Sequence, residues 1–514
     1  MTHPRVHATT NPQVPAVIMS DGSGALTYGQ LEERANQGAH LLRSLGVNRG
    51  DTIAFWLPNC IEVFEIYWAG QRAGIYITPM ATGLTASEAE YILENSRAKF
   101  LVSSSAINAF SSIKGSPSLT VMDLDGWRAA LQDQPTTPIA DESAGYHMLY
   151  SSGTTGRPKG VRTPLPQGEV TDINELAGRM RDHYGVGPGE VYLSPAPVYH
   201  AAPLGYTTNC HRLGATVVQM PRFDAEGALA AIDRYRVSVT QMVPTMFIRM
   251  LKLPEGVKQR YDLSSLRFVI HAAAPCPVPV KHQMIEWLGP IIYEFYSGSE
   301  SPGVTGISSE EWLVRPGSVG RAVKGVIHVC DADGYEVPAG EQGLIYFSGG
   351  QEFEYLGDPD KTRDCRNPLH PSWSTLGDIG YVDKEGYLFL TDRQSNMIIS
   401  GGVNIYPQEI ENLLVTHPQV ADVAVIGVPN ADFGEEVKAV VQPADPADAT
   451  PEFAARLIEF CKANLSPIKC PRSVDFDFAL PRQDNGKLYK RLIRDRYAAA
   501  AQAASSAGEA APRP

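Results

Sequence analysis

Short apolar runs alternate with stretches in which apolar residues recur at helical spacing through most of the chain's first three hundred residues. In Leu26–Gly46, Leu31, Ala35, Leu41, Leu42 and Leu45 follow the helical period, with Thr27 as N-cap candidate and Gly46 as stop. Asp51–Asn59 reads as a buried strand, followed by a helix through IEVFEIYWAGQRAG. Ala98–Ser104, Ala215–Met220 and the runs VSVTQMVP and LRFVIHAAAP continue the pattern, and His147–Tyr150 is apolar enough to end a buried strand. Such alternation predicts parallel sheets covered by helices. From about Val314 short strands separated by glycine turns take over. After Arg393, a helix over Ile405–Pro418, a strand in VADVAVIGVP, a helix in PEFAARLIEFCKANL and a strand in SVDFDFALP make up a small domain. The predicted architecture is α/β: an N-terminal domain over 1–394 of stacked, mostly parallel sheets with helices, its β-rich part at about 314–394. A small α+β domain over 395–496 follows, and 497–514, low in complexity, is expected to be a disordered tail.

Composition narrows the function classes. With 514 residues, 43% of them hydrophobic, core size is not limiting. The formal charge of −13 and the lack of a basic stripe with interleaved aromatics argue against nucleic acid as a partner. Seven scattered cysteines without a CxxC fit a reducing cytosol and argue against disulfides or a zinc site. The first twenty residues lack an apolar signal core, and no apolar stretch approaches the roughly 18–20 residues that span a bilayer. The expected compartment is the cytoplasm, with no transmembrane segment.

Chemistry concentrates first in Tyr150–Gly160, YSSGTTGRPKG. Glycines allow tight turns, and successive N–H groups, the hydroxyls of Ser151, Ser152, Thr154 and Thr155, and the Lys159 ammonium can face one polyanion. The run is not GxxxxGK[ST], because Lys159 follows a proline and precedes glycine and valine. Composition alone favours a flexible Ser/Gly/Thr loop. Downstream, YEFYSGSES (Tyr293–Ser301) offers Tyr296 to stack on a purine, Ser299 to donate to a phosphate and Glu300 to hold Mg²⁺. In STLGDIG (Ser374–Gly380), Asp378 can accept two hydroxyls with its two oxygens, or form an Asx-turn.

The string SSGTTGRPKG resembles the signature of the adenylate-forming superfamily: acyl-CoA synthetases, amino-acid-activating domains and luciferases. YSGSE is similar to the family's YGxTE, with Ser297 for glycine and Ser299 for threonine. Matches in the family's order run from Leu26 to Arg491. The resemblance implies that ATP is bound by Ser151, Ser152, Gly153, Thr154, Thr155, Gly156 and Lys159, by an adenine wall of Ala272, Ala273 and Ala274 in HAAAPCP, and by Tyr296 and Ser299. Asp378 and Arg393 would hold the ribose. Glu300 would be catalytic and the metal ligand, and His200, in PAPVYHAAPLG, would stand near the acid's carboxylate. Met242, Pro244, His271, Ser297, Gly298 and Gly303 would wall the acyl pocket. TDRQSNMIISGGVNIYPQEIE (Thr391–Glu411) resembles the family's hinge and glycine loop. It places Ser395 at the pivot of a mobile C-terminal domain and Gly401 and Gly402 along a coenzyme A channel. LPRQDNGKLYKR (Leu480–Arg491) is similar to the family's closing PRxxxGKxxK and makes Lys487 the adenylation lysine.

The implied reaction has two halves. A substrate carboxylate attacks the α-phosphate of Mg²⁺·ATP, giving acyl-adenylate and pyrophosphate; the acyl group then passes to coenzyme A, releasing AMP. The expected partners are a small-molecule carboxylic acid, ATP and coenzyme A, with a homodimer left open. The alternatives are a stand-alone ligase that passes the acyl group to an amine or a carrier-protein thiol, and a non-enzymatic adenylate sensor.

Overall fold

The computed structural model describes residues 2–105, 107, 119–151, 158–430, 432–482 and 488–509, with side chains through 499. Its centre is a 13-stranded sheet. Six strands form a parallel core, in the order Ile292–Tyr296, Phe268–His271, Val239–Met242, Val191–Ser194, Thr216–Gln219 and Pro15–Met19. Ile292–Tyr296 pairs antiparallel with Val304–Ile307, and every strand beyond it on that flank is antiparallel. The β-rich stretch therefore extends the central sheet instead of standing apart from it. A second, five-stranded parallel sheet holds Thr52–Trp56, Tyr76–Pro79, Ala98–Ser103, Thr120–Asp123 and Tyr146–His147. Every residue of the helix Glu62–Arg72 is buried, with Gly70 against Ile53 and Ile77 of this sheet and Trp68 donating to His211 of the helix Ala201–Leu213. Its charges are matched inside: Glu65 pairs with Arg34 at 2.5 Å, and Arg72 with Glu32 at 2.5 Å. The helix Tyr28–Ser44 begins where the pattern predicts, with a capping box between Thr27 and Gln30.

The C-terminal domain packs the helices Pro407–Leu414 and Pro451–Asn464 on an antiparallel pair, Val420–Asn430 with Gly434–Pro443, joined in parallel by Ser473–Phe476. The sequence reading placed no strand at Gly434–Pro443, whose Glu435, Glu436 and Lys438 mask the alternation. The tail expected from 497 is corrected in part, because the helix Lys490–Glu509 runs through it. Low complexity there means alanine, and alanine is the strongest helix former. Among the described residues no helix is long and apolar enough to cross a membrane.

A fully buried ion pair underlies the strands that carry the candidate site. Lys281 Nζ donates to Glu294 Oε2 at 2.6 Å and lies 4.8 Å from the Trp312 ring centroid. Removing one partner strands the other charge in the interior. Lys281→Met is expected to lower unfolding free energy by about 3–5 kcal/mol, and Lys281→Met/Glu294→Met to recover most of it, read from urea unfolding midpoints.

Candidate functional site

The carboxyl ends of the parallel strands open into one cavity of about 1540 Å³. Ala196, Tyr199 and His200 follow Val191–Ser194; Val243 follows Val239–Met242; Ala272 and Ala273 follow Phe268–His271; and Ser297–Ser301 follow Ile292–Tyr296. Ligands of open α/β sheets characteristically bind at such ends. Ala273 has φ +76 and Ser301 φ +49, left-handed conformations that non-glycine residues adopt only when their surroundings enforce them.

Lys159 enters the cavity from a hairpin. Leu149–Ser151 pairs antiparallel with Lys159–Arg162, with Ser151 opposite Lys159, and Glu354–Tyr355 adds a third strand. Ser151 and Lys159 both line the cavity; Ser152, Gly153, Thr154, Thr155 and Gly156 lie outside the described residues. Lys159 Nζ stands 5.4 Å from the Tyr355 ring centroid, and the Tyr355 hydroxyl donates to Glu300 Oε1 at 2.9 Å. Burial first, and the nearby Lys361 ammonium second, pull the Lys159 pKa down to about 8. Tyr355 and Lys361 escaped the sequence reading because neither adjoins a residue it serves. The surrounding YLGDPDKT, with its proline-started turn, was the available signal.

Glu300 is 8% exposed, and its Oε2 lies so close to Gly298 that a Cβ there would meet it at 2.8 Å. Among the described residues no group of three or more His, Cys, Asp or Glu is arranged to hold a metal. Mg²⁺ bound with a nucleotide commonly takes one or two carboxylates plus phosphate oxygens, and Glu300 fits that requirement.

Asp378 is held by two groups. The Tyr296 hydroxyl donates to its Oδ2 at 2.6 Å, and Arg393 Nε to its Oδ1 at 3.1 Å, across a strand pair that sets Asp378 opposite Arg393. Burial, then the Asp378 charge, push the Tyr296 phenol well above its usual range, so it stays a donor. Arg393 and Ser299 line the cavity, whereas Tyr296 and Asp378 stand behind that lining.

Several predicted wall residues face elsewhere. Met242 and His271 are buried on the opposite side of their strands, while their neighbours Gln241, Val243 and Ala272 line the cavity. Successive strand residues point to opposite faces, so the reading was out of phase by one. His271 instead approaches Glu294 at 3.5 Å and the Phe247 ring at 5.3 Å. Pro244 is buried in the first turn of helix Pro244–Leu251, and Ala274 is not part of the lining. Gly303 is absent from the wall too: its Cα lies against Phe347, which a Cβ would meet at 2.0 Å. Ser297 and Gly298 do line the cavity, although the Ser297 hydroxyl donates to Gly303 O at 2.7 Å.

The C-terminal domain closes one side. Arg482, Tyr489, Arg491 and Leu492 line the same cavity, as do Gln394 and Ser395. Lys487, between them in sequence, lies outside the described residues. Ser395 sits in a single 3₁₀ turn, Gln394–Asn396. Asp392 fixes this linker, accepting from Asn396 Nδ2 at 3.1 Å and from Gln408 N, in the first turn of the next helix, at 2.9 Å. Gly401 (φ +57) and Gly402 (φ +80) form the two-residue turn between Ile398–Ser400 and Val403–Ile405, where positive φ at both positions matches the strand twist. They do not line the cavity.

Lys159 carries a testable consequence. With its pKa held to about 8, its charge is lost as pH rises through that value, and ATP affinity should fall with it. Lys361→Met removes one of the lowering influences. It is expected to weaken ATP binding at neutral pH and to shift the alkaline fall-off upward, as read by calorimetric titration across pH.

Comparison with known proteins agrees with this geometry. The family model described as "AMP-binding enzyme" matches residues 5–354, and "AMP-binding enzyme C-terminal domain" matches 409–487. The chain is 32% identical over 512 residues to the long-chain-fatty-acid–CoA ligase FadD13 of Mycobacterium tuberculosis, covering 96% of this chain and 98% of that one. It is 31% identical to the fatty acid–[acyl-carrier-protein] ligase ScoC of Streptomyces coeruleorubidus, covering 96% and 95%. The ATP-bound structure of MatB from Rhodopseudomonas palustris superposes with a TM-score of 0.81 at 28% identity, covering 97% and 99%. With a family match over more than half its length and a relative above 30% identity across nearly all of it, the chain belongs to the AMP-binding enzyme family.

Proposed function

We propose that this enzyme activates a carboxylic acid with ATP, releasing pyrophosphate, and transfers the acyl group of the adenylate to coenzyme A. The observation that carries the reading is the convergence of Lys159, Glu300, Ser299 and Arg393 on one cavity at the carboxyl ends of the parallel strands. No protein nucleophile is required, since positioning and fixed charge supply most of such catalysis. Lys159 neutralises the polyphosphate, and Glu300, oriented by Tyr355, supplies a carboxylate for Mg²⁺. That ion, when bound, would neutralise phosphate charge. Asp378, oriented by Tyr296 and Arg393, is the acceptor for the ribose hydroxyls. His200, beginning the helix Ala201–Leu213 at the cavity wall, stands beside the acid's carboxylate.

Lys487 completes adenylation by neutralising the attacking carboxylate and the α-phosphate together. Support comes from its neighbours Arg482 and Tyr489, which line the cavity on either side of it in sequence. Rotation about Ser395 then replaces Lys487 with the Gly401–Gly402 turn, whose lack of side chains admits the thin arm of coenzyme A. A carrier-protein thiol is the second reading, favoured by the likeness to ScoC.

A panel of carboxylic acids scored for pyrophosphate release, then repeated with coenzyme A, tests the reaction; a wild type that releases pyrophosphate but forms no thioester would move the acceptor to a carrier protein or an amine. Lys487→Ala is expected to reduce acyl-adenylate formation by about 10²-fold or more while sparing thioester formation from preformed acyl-adenylate. Equal loss in both halves would contradict the two-conformation mechanism. Gly402→Leu is expected to keep acid-dependent exchange of pyrophosphate into ATP and to make little acyl-CoA.

A further inference from the structure

The cavity reaches well beyond the residues that surround the nucleotide. It follows the helix Ala201–Leu213, whose Ala201, Gly205, Thr208, Asn209 and Arg212 face it at helical spacing. From Ala201 to Arg212 the helix rises about 17 Å. Along that stripe the lining changes from small residues near His200 to polar residues at the far end.

Two of those polar residues are satisfied by the protein. Thr208 Oγ1 donates to Leu204 O at 2.7 Å, while Asn209 donates to Gly205 O and accepts from Asn174, both at 2.7 Å. Arg212 differs. Its Nη1 donates to the carbonyls of Thr2, Val170 and Asp172 at 3.1, 3.0 and 3.3 Å, and its guanidinium carbon lies 5.4 Å from the Trp68 ring centroid. Among the described residues no carboxylate forms an ion pair with it. Three buried charges inside the packing do have ion-pair partners: Arg72 has Glu32, Glu65 has Arg34, and Lys281 has Glu294. Around it, Tyr67 and Tyr146 line the same end of the cavity. Burial pulls the Arg212 pKa below the ordinary guanidinium range, against weaker opposing pulls from Tyr67, Tyr146 and Asp172. Burial likewise pushes the Tyr146 phenol up to about 12, keeping it neutral.

A half-buried guanidinium that lines the cavity with no carboxylate in ion-pair contact favours an acceptor oxygen from a ligand, and a purely hydrocarbon tail would leave it unmatched. We propose that Arg212 binds the end of the acid remote from the reacting carboxyl, and that the acid carries an acceptor oxygen there, as a second carboxylate or as a ketone. This rests on the adenylating reading of the same cavity. The three backbone carbonyls all accept from one nitrogen of the planar guanidinium, whose fork of donors lysine cannot reproduce.

The test compares straight-chain monoacids with acids of equal length that end in a carboxylate or a methyl ketone, scored as kcat/KM for pyrophosphate release. The wild type is expected to prefer an acceptor-bearing acid by about 10- to 100-fold, the worth of a charge-assisted hydrogen bond. In Arg212→Gln the two rates should converge, with the carboxylate-ended acid losing more than the ketone, and Arg212→Lys should restore only part of the preference. A wild type that uses the plain acid as well or better overturns the proposal and leaves adenylation standing. Release of pyrophosphate with no acid at all overturns both. If Arg212 only clamps the chain, its variants lose melting temperature and slow every acid in the same proportion, which again overturns the proposal. The wild-type preference needs no variant to fold.

Discussion

The strand Ile292–Tyr296 is hydrogen-bonded in parallel to Phe268–His271 on one side and antiparallel to Val304–Ile307 on the other. On the parallel side, Phe268–His271, Val239–Met242 and Val191–Ser194 are each followed by residues that line the cavity. On the antiparallel side the chain returns, so that Ser374–Val382 and Leu388–Arg393 bring Asp378 and Arg393 against Tyr296. A wholly parallel sheet would send its next strand away through a crossover helix. The change of direction is what brings Asp378 and Arg393 beside the strand that leads into Ser299 and Glu300. The buried Lys281–Glu294 pair ties this strand to the helix Val278–Leu288.

Interior charges divide into two groups. Those inside the packing are matched within the protein, as Arg72, Glu65 and Lys281 are. Of those facing the cavity, Arg393 is paired with Asp378 and Lys324 with Glu175, whereas Lys159 and Lys361 approach one another and Arg212 donates to backbone carbonyls. Removing a charge from water is costly unless a partner compensates it. The unmatched cations therefore mark where anionic or acceptor groups of ligands complete the structure.

The linker between domains is short and held from one side. Asp392 joins the 3₁₀ turn Gln394–Asn396 to the helix Pro407–Leu414 through one carboxylate, and Arg494 donates to Ser395 O at 3.1 Å. Among the described residues, Lys252 Nζ also joins the two domains, donating to Val420 O at 3.0 Å. Polar contacts of this kind contribute little net stability each, since water replaces them.

Much of the fold was legible in the sequence because its signals are local. The capping box at Thr27, the apolar runs of the parallel strands and the helix Pro407–Leu414 each arise from spacing that a chain carries without partners. Residue chemistry pointed to Lys159, Glu300 and Asp378 as candidates, and the family resemblance to Arg393. What the tertiary structure alone decided is direction and pairing. Strand phase turned Met242 and His271 into the core and their neighbours outward, because one residue of shift exchanges the two faces. The bond from Tyr355 to Glu300 and the carbonyls on Arg212 join residues tens to hundreds of positions apart. No periodicity records such a contact, for it exists only once the sheet has brought both ends together.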